Sequence, residues 1–487
     1  MATTNNPPQV PKETMLSVSP LHIPEILNIV ASYLESGDLT RCIRVSKSWR
    51  DIFLPHRWCV IQRVANPHPH IGPSNDTIYK HRHLVQDLTI FGSSTTFMHH
   101  PILRKLDIHA NFGPRQTTHW DLTEKYPLLD DLTIRHATVD ASFCRAISGH
   151  PSIRSLSLRS ALIEEENLAF FWEACRHLES LLLTEANFKG GSMSVPKDAV
   201  FDQMRIVTIS SIESVSPSEQ LELVFHCPKL QKIAWFPPDA INVWVLINHP
   251  IQRDRWPQLD ELHIPTEFQD AKLASILEGI RHCLGNVSNL RVWRGVLGPQ
   301  THKALALHFS TLVELNLGYN MSVASSTIRD VLCSCPKLEI LRARTIYARD
   351  IAEGGPWVCQ QLRELGVCIR VKETEQDLHP LVFERLSALT RLETLDVRES
   401  VYDDGSSDDV LDFRLDCGLG QLASFHELRI LRFHTEITRT QQLGTKDVEW
   451  MIDNWMKLGG IYGHLNRDPG VEDQLKDALK SHGIDTW

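Results

Sequence analysis

The chain has 487 residues, 42% hydrophobic and 23% charged, with a formal net charge of -10. This is the composition of an ordinary soluble globular protein with material for a large core, and the acidic balance argues against non-specific binding to nucleic acid or acidic membranes. No run approaches the roughly 18 apolar residues of a membrane span, the N-terminal MATTNNPPQVPKET lacks a signal-peptide stretch, and eleven scattered cysteines fit a reducing compartment. These features predict a cytosolic or nuclear protein, with residues 1–17 a disordered tail.

Residues 21–58 read as three short helices. Ile23-Pro24-Glu25 forms a helix start, with Pro24 tolerated in the first turn and Glu25 favourable against the helix dipole. Ile26, Leu27, Val30 and Leu34 recur at helical spacing, and Gly37 with Asp38 supplies a stop and the next N-cap. Leu39, Cys42, Ile43 and Val45 form the second apolar face; Ser46 caps a third helix carrying Trp49, Ile52 and Phe53, which Leu54-Pro55 is expected to end. So small a module cannot bury a full core and leans on a partner. The order Pro24-Glu25-Ile26-Leu27, Tyr33-Leu34, Asp38-Leu39, Cys42, Val45-Ser46, Trp49, Pro55 and Trp58 resembles the F-box, the adaptor-binding module of cullin-based (SCF) ubiquitin ligases. The resemblance covers residues 18–63 and implies that Ile23, Pro24, Leu27, Val30, Leu34, Leu39, Val45 and Trp49 pack on a Skp-type adaptor.

After a Pro/His/Asn-rich linker at 64–80, the form L-x-x-L-x-L recurs about fourteen times at intervals of about 26 residues, within the leucine-rich-repeat range. Leu129-Leu132-Ile134, Leu178-Leu181-Leu183 and Leu338-Leu341-Ala343 are examples; at Leu290-Trp293 the pattern breaks before Gly295. The fourth and sixth positions enter the core while the third, fifth and seventh point outward. Between motifs IEEENLAFFWEACRH and ASSTIRDVLCSCPK read as helices, and prolines such as Pro151, Pro228 and Pro336 stop the helix before the strand. These features resemble the F-box-associated leucine-rich-repeat family. The predicted fold class is therefore α/β, a three-helix F-box followed at 81–465 by a leucine-rich-repeat solenoid, its curved parallel sheet inside and helices outside. Residues 466–487 form a cap or tail. The asparagine usual after the strand is present only at Asn111 and Asn320, so most turns must satisfy their backbone groups otherwise.

Chemistry is sparse. There is no phosphate-binding glycine loop, H-E-x-x-H, G-x-S-x-G or dinucleotide fingerprint. Cys333, Cys335, Cys359 and Cys368 match no standard zinc spacing, and the acidic segment Asp403 to Asp412 reads as a solvated insertion rather than a calcium loop. No cofactor, metal or catalytic residue is expected. The seventh-position column reads Phe91, His109, Arg135, Arg159, Thr184, Ser210, Phe236, Pro265, Val296, Gly318, Arg344, Cys368, Arg398 and His434, without an acidic residue. With Arg342 and Arg432 it offers Arg135, Arg159, Phe236, Arg342, Arg344, Arg398 and Arg432 as candidate contacts for an acidic or phosphorylated protein segment. The stronger alternative is a mixed solvated face, because Asp107, Glu261, Glu314, Glu364 and Asp396 occupy nearby outward positions. The segment 236–258 exceeds one repeat, with Phe236-Pro237-Pro238 a possible anchor and Trp244 on the repeat helix.

The whole reads as a non-catalytic substrate receptor of a ubiquitin ligase, binding a Skp-type adaptor, and a cullin through it, at one end and a protein target at the other. A plain repeat scaffold without a ligase role is the alternative; a repeat-type GTPase regulator would need a catalytic arginine at a defined turn, and none is identifiable.

Overall fold

The computed structural model describes residues 23–62, 75–91, 99–109, 120–236, 259–265, 269–283, 288–293, 296–318, 320, 322–398, 410–434 and 441–486. The chain divides into two compact units, Met1–Ala137 with Arg145–Ile153, and Thr138–Cys144 with Arg154–Trp487.

The first unit opens with helices α1 Pro24–Tyr33, α2 Ser36–Cys42 and α3 Lys47–Cys59. Pro24 takes the first helical position behind Ile23, and the Ser46 hydroxyl accepts from the Trp49 N–H at 3.1 Å. Two local expectations change. The break after α1 falls at Leu34-Glu35, so Gly37 and Asp38 lie in the first turn of α2 rather than before it. Pro55 does not end α3, which continues to Cys59, because Phe53 and Trp58 are both buried and anchor the turns on either side of the proline. Helix α4, Asn75–His81, occupies most of what the sequence assigned to the end of a linker. Strands β1 Val60–Gln62, β2 Asp87–Phe91, β3 Lys105–His109 and β4 Asp131–Arg135 then pair in parallel, in chain order.

The second unit continues the same design. Its strands are β5 Ser155–Arg159, β6 Ser180–Thr184, β7 Ile206–Ser210, β8 Lys232–Phe236, β9 Glu261–Pro265 and β10 Asn289–Trp293. They are followed by β11 Glu314–Asn316, β12 Ile340–Tyr347, β13 Glu364–Arg370, β14 Thr394–Asp396, β15 Ile430–Arg432, β16 Gly460–Tyr462 and β17 Asp485–Thr486. Each pairs in parallel with the next. The register aligns Leu156, Leu181, Val207, Ile233, Leu262, Leu290, Leu315, Leu341, Leu365, Leu395, Leu431 and Ile461 as one buried column. One strand per repeat, in parallel register, each with its fourth-position residue in the core, is a leucine-rich-repeat solenoid.

A second column lies three residues before each motif. Cys175, Phe201, Cys227, Cys335, Cys359, Leu389, Phe425 and Trp455 are all buried there, where the helix hands over to the strand. The cysteines are therefore small apolar fillers. The turns without asparagine use a backbone ladder: Ser160, Glu185 and Ser211 adopt φ of 48°, 52° and 55°, and each donates its N–H to the end of the next strand, at Thr184, Ser210 and Phe236, over 2.8 to 3.0 Å. The turns at Ser160 and Glu185, and a like one at His136 with φ 56°, lead into two-residue strands, Leu162–Ile163, Asn187–Phe188 and Thr138–Val139, which form their own small sheet. Asn320 does what the sequence expects of a repeat asparagine, donating to the carbonyls of Val292 and Leu317 at 2.7 and 3.0 Å. Asn111 lies outside the described residues.

Two corrections concern register. Leu290, read from the sequence as the first motif position, pairs with Leu262 and Leu315 and is the fourth. The seventh position is therefore Trp293, and Val296 instead pairs with Ser322 in a separate two-stranded sheet. Between β12 and β13 the register shifts between Arg342 and Thr345, a bulge that breaks the alternation and buries Ala343 and Arg344 in succession, with Cys368 buried on the partner strand. The C-terminal residues are more than a tail: helix Pro469–Ser481 is capped by Asp468, and β17 pairs with β16.

Candidate functional site

The helical module closes its own small core with Leu27, Ala31, Leu39 and Phe53, against which Leu34, Cys42, Ile43, Trp49 and Ile52 pack half-buried. The Trp49 and Phe53 rings pack at 5.2 Å between centroids, tilted by 38°. Of the residues expected to meet an adaptor, Leu27 and Leu39 are thus inside the module, where they hold the helices together. Leu34 and Trp49 are divided between core and surface, Ile23 is half-buried, and Pro24, Val30 and Val45 are exposed.

The outward side of α1 is apolar as well. Ile26, Ile29, Val30 and Tyr33 follow the i, i+3, i+4, i+7 spacing of a second stripe, with Ile29 62% and Tyr33 84% exposed, and Val45, 62% exposed, follows α2. Glu25, Asn28 and Ser32 occupy the polar flank. Covering such side chains fully would stabilise a complex by roughly 1.5 to 3 kcal/mol each before the costs of association. The sequence alone does not mark Ile26, Ile29 and Tyr33 as contacts, because an isolated helix pattern does not say which of two apolar stripes its neighbours take.

The arginines of the sheet face divide sharply. Arg135 forks onto Asp107 with Nε and Nη2 at 3.1 and 2.7 Å from the two carboxylate oxygens. Arg342 does the same to Glu364 at 2.6 and 2.9 Å, and Arg398 to Asp396 at 2.9 and 2.7 Å. Arg432 sits 3.7 Å from Asp396 and lies over the Tyr462 ring at 5.6 Å. Arg344, drawn in by the bulge, is 9% exposed and donates to the Asn320 carbonyl at 3.4 Å. Lys232 with Glu261 at 2.8 Å and Arg291 with Glu314 at 2.9 Å extend the same pattern. The chain supplies its own carboxylates to these cations, so the lane is charge-matched over most of its described length. Arg159 differs: it is half-buried, and its Nε is shielded from solvent without an acceptor. Phe236 is half-buried at the end of β8; Pro237, Pro238 and Trp244 lie outside the described residues.

Burial pushes the Cys335 and Cys359 thiols up to about 12, which disfavours the thiolate needed of a nucleophile or metal ligand. Among the described residues no three His, Cys, Asp or Glu side chains gather as a metal group would require, and no helix is long and apolar enough to cross a membrane. Asp412 is held by Arg414 at 2.6 Å; the acidic residues before it, 403–409, lie outside the described residues.

No family model matches the sequence, and no curated protein matches it. Among solved structures it is similar to an internalin from Listeria monocytogenes, at 13% identity and a TM-score of 0.42, over 73% of this chain and 85% of that one. It is also similar to the TLR13–ssRNA13 complex, at 11% identity and 0.31, over 78% and 68%.

Proposed function

We propose that the chain is the substrate receptor of a cullin-based ubiquitin ligase, with α1 to α3 docking on a Skp-type adaptor and the repeats holding a protein target. The observation that carries this reading is the second apolar stripe of α1, Ile26, Ile29, Val30 and Tyr33, which remains exposed after the module has closed its own core. Together with the F-box-like order of residues from Pro24 to Trp58, it fits a helix-in-groove interface. Ile23, Pro24, Val30, Val45 and the outer edges of Leu34 and Trp49 would touch the adaptor; Leu27 and Leu39 would act by supporting them. Catalysis by this chain is not part of the reading. Its contribution is proximity, which raises the effective concentration of target lysines at the conjugating enzyme.

The test is co-purification of the full chain with a Skp-type adaptor, comparing wild type with Val30→Asp plus Tyr33→Ala. These exposed positions leave the module core intact, so a folded variant that loses an adaptor bound by the wild type supports the proposal. A folded wild type that binds no adaptor leaves a leucine-rich-repeat scaffold without a ligase role.

A further inference from the structure

The four adjacent strands β5 to β8 present three outward positions each, and none of these carries a carboxylate. Position three reads Ser155, Ser180, Ile206 and Lys232; position five reads Ser157, Leu182, Thr208 and Ala234; position seven reads Arg159, Thr184, Ser210 and Phe236. Lys232 is closed by Glu261 from β9. Ile206 is 37% exposed, Leu182 and Thr208 are half-buried beside it, and Ser157 holds a buried hydroxyl without a partner. The Arg159 side chain makes no hydrogen bond, ion pair or ring contact among the described residues. The nearby Glu185 accepts instead from Ser160, at 2.7 Å. Elsewhere in the same sheet Arg342 and Arg398 are each closed by a carboxylate that takes Nε and Nη2 together. At Arg159 no carboxylate among the described residues takes this place; its Nε is enclosed, so an acid from another molecule would meet the terminal nitrogens of the guanidinium.

We propose that the outward face of β5 to β8 binds an apolar peptide segment of a protein partner, one carboxylate side chain of which pairs with the terminal nitrogens of Arg159. The inference rests on the reading of the repeats as the target-binding part and names the chemistry of the target. A carboxylate suits the site better than a phosphate. Only one cation on this face lacks a carboxylate partner, whereas a phosphate carries a charge of about -1.5 to -2 and three acceptor oxygens and is held by arginine clusters. Ile206 and Leu182 take the apolar residues beside the acid, and Thr208 offers its hydroxyl to the peptide backbone.

The probe is a displayed library of random 12-residue peptides, selected on the full chain without adaptor and depleted on Arg159→Glu. The expected result is enrichment of peptides with Asp or Glu beside apolar residues. A synthetic peptide of that consensus should bind at least about tenfold more weakly to Arg159→Ala and to Ile206→Asp, with an intermediate loss for Arg159→Lys, which keeps the charge but not the paired terminal N–H donors. Changing the peptide acid to its amide should reproduce the Arg159→Ala loss, which a misfolded variant cannot explain. No enrichment, or affinity indifferent to Arg159→Ala and to the amide, overturns the proposal. Tighter binding of a phosphoserine version overturns the carboxylate assignment. Because no adaptor is present, failure here leaves the adaptor reading standing, and failure of adaptor binding leaves this result standing.

Discussion

His434 lies two residues beyond β15 at 5% exposure. Burial first, then Arg370 and Arg398 against the opposing pull of Asp396, pushes its imidazole down to about 4 from 6.5. Above the ordinary value both folded and unfolded forms are neutral. As pH falls below it the unfolded chain takes up the proton first, so stability is lost progressively until about pH 4, by up to about 3 kcal/mol. His434→Gln should flatten the difference in urea midpoint between pH 7.5 and 5 relative to wild type; an unchanged difference would show that other groups set it. At Asn320 the expectation is simpler. Its fully buried amide bonds two carbonyls, and Asn320→Ala should destabilise the repeats by roughly 1 to 3 kcal/mol in denaturant unfolding, because the Val292 carbonyl loses its donor while that of Leu317 keeps only the backbone N–H of residue 320. That asparagine could be read from the sequence. The pairing of Arg342 with Glu364 and of Arg135 with Asp107 could not, since these partners are 22 and 28 residues apart and meet only through strand register.

At the scale of elements, the left-handed turn after β5, β6 and β7 is built on Ser160, Glu185 and Ser211, residues that adopt positive φ only with strain. The backbone ladder to the next strand holds them there. Ser211 is exposed, and Ser211→Gly should raise stability by about 1 kcal/mol, measured as a shift in urea midpoint without a change in slope. No change would mean that the ladder leaves the turn relaxed. The helices were legible in outline because their apolar spacing and caps are local. Their ends were less so: α3 runs through Pro55 because tertiary burial of Phe53 and Trp58 outweighs a broken local rule. The same contest decides α1, where Leu27 and Ala31 point inward and Ile26, Ile29 and Val30 outward, although all five fit an amphipathic pattern.

At the scale of the whole chain, a solenoid needs ends that do not expose its core. The last helix buries Leu475 and Leu479, and Glu472 within it accepts from the N–H groups of Leu465 and Asn466 at 2.8 and 2.7 Å. Deleting residues 466–487 should therefore leave a chain that aggregates or unfolds at lower denaturant, seen by size exclusion and urea unfolding. A soluble, equally stable truncation would make this segment an appendage.

The sequence by itself determined the repeat architecture, because an apolar residue at every fourth motif position is a local, periodic signal that only a stack of parallel strands can bury. It also determined the small helical module and the filler role of the cysteines buried ahead of the repeat strands. Tertiary structure alone decided the register at Leu290, the bulge that removes Arg344 from the open face, and which arginines meet acids. Each of those depends on residues brought alongside from neighbouring repeats, and a linear pattern carries outward positions without saying what stands opposite them.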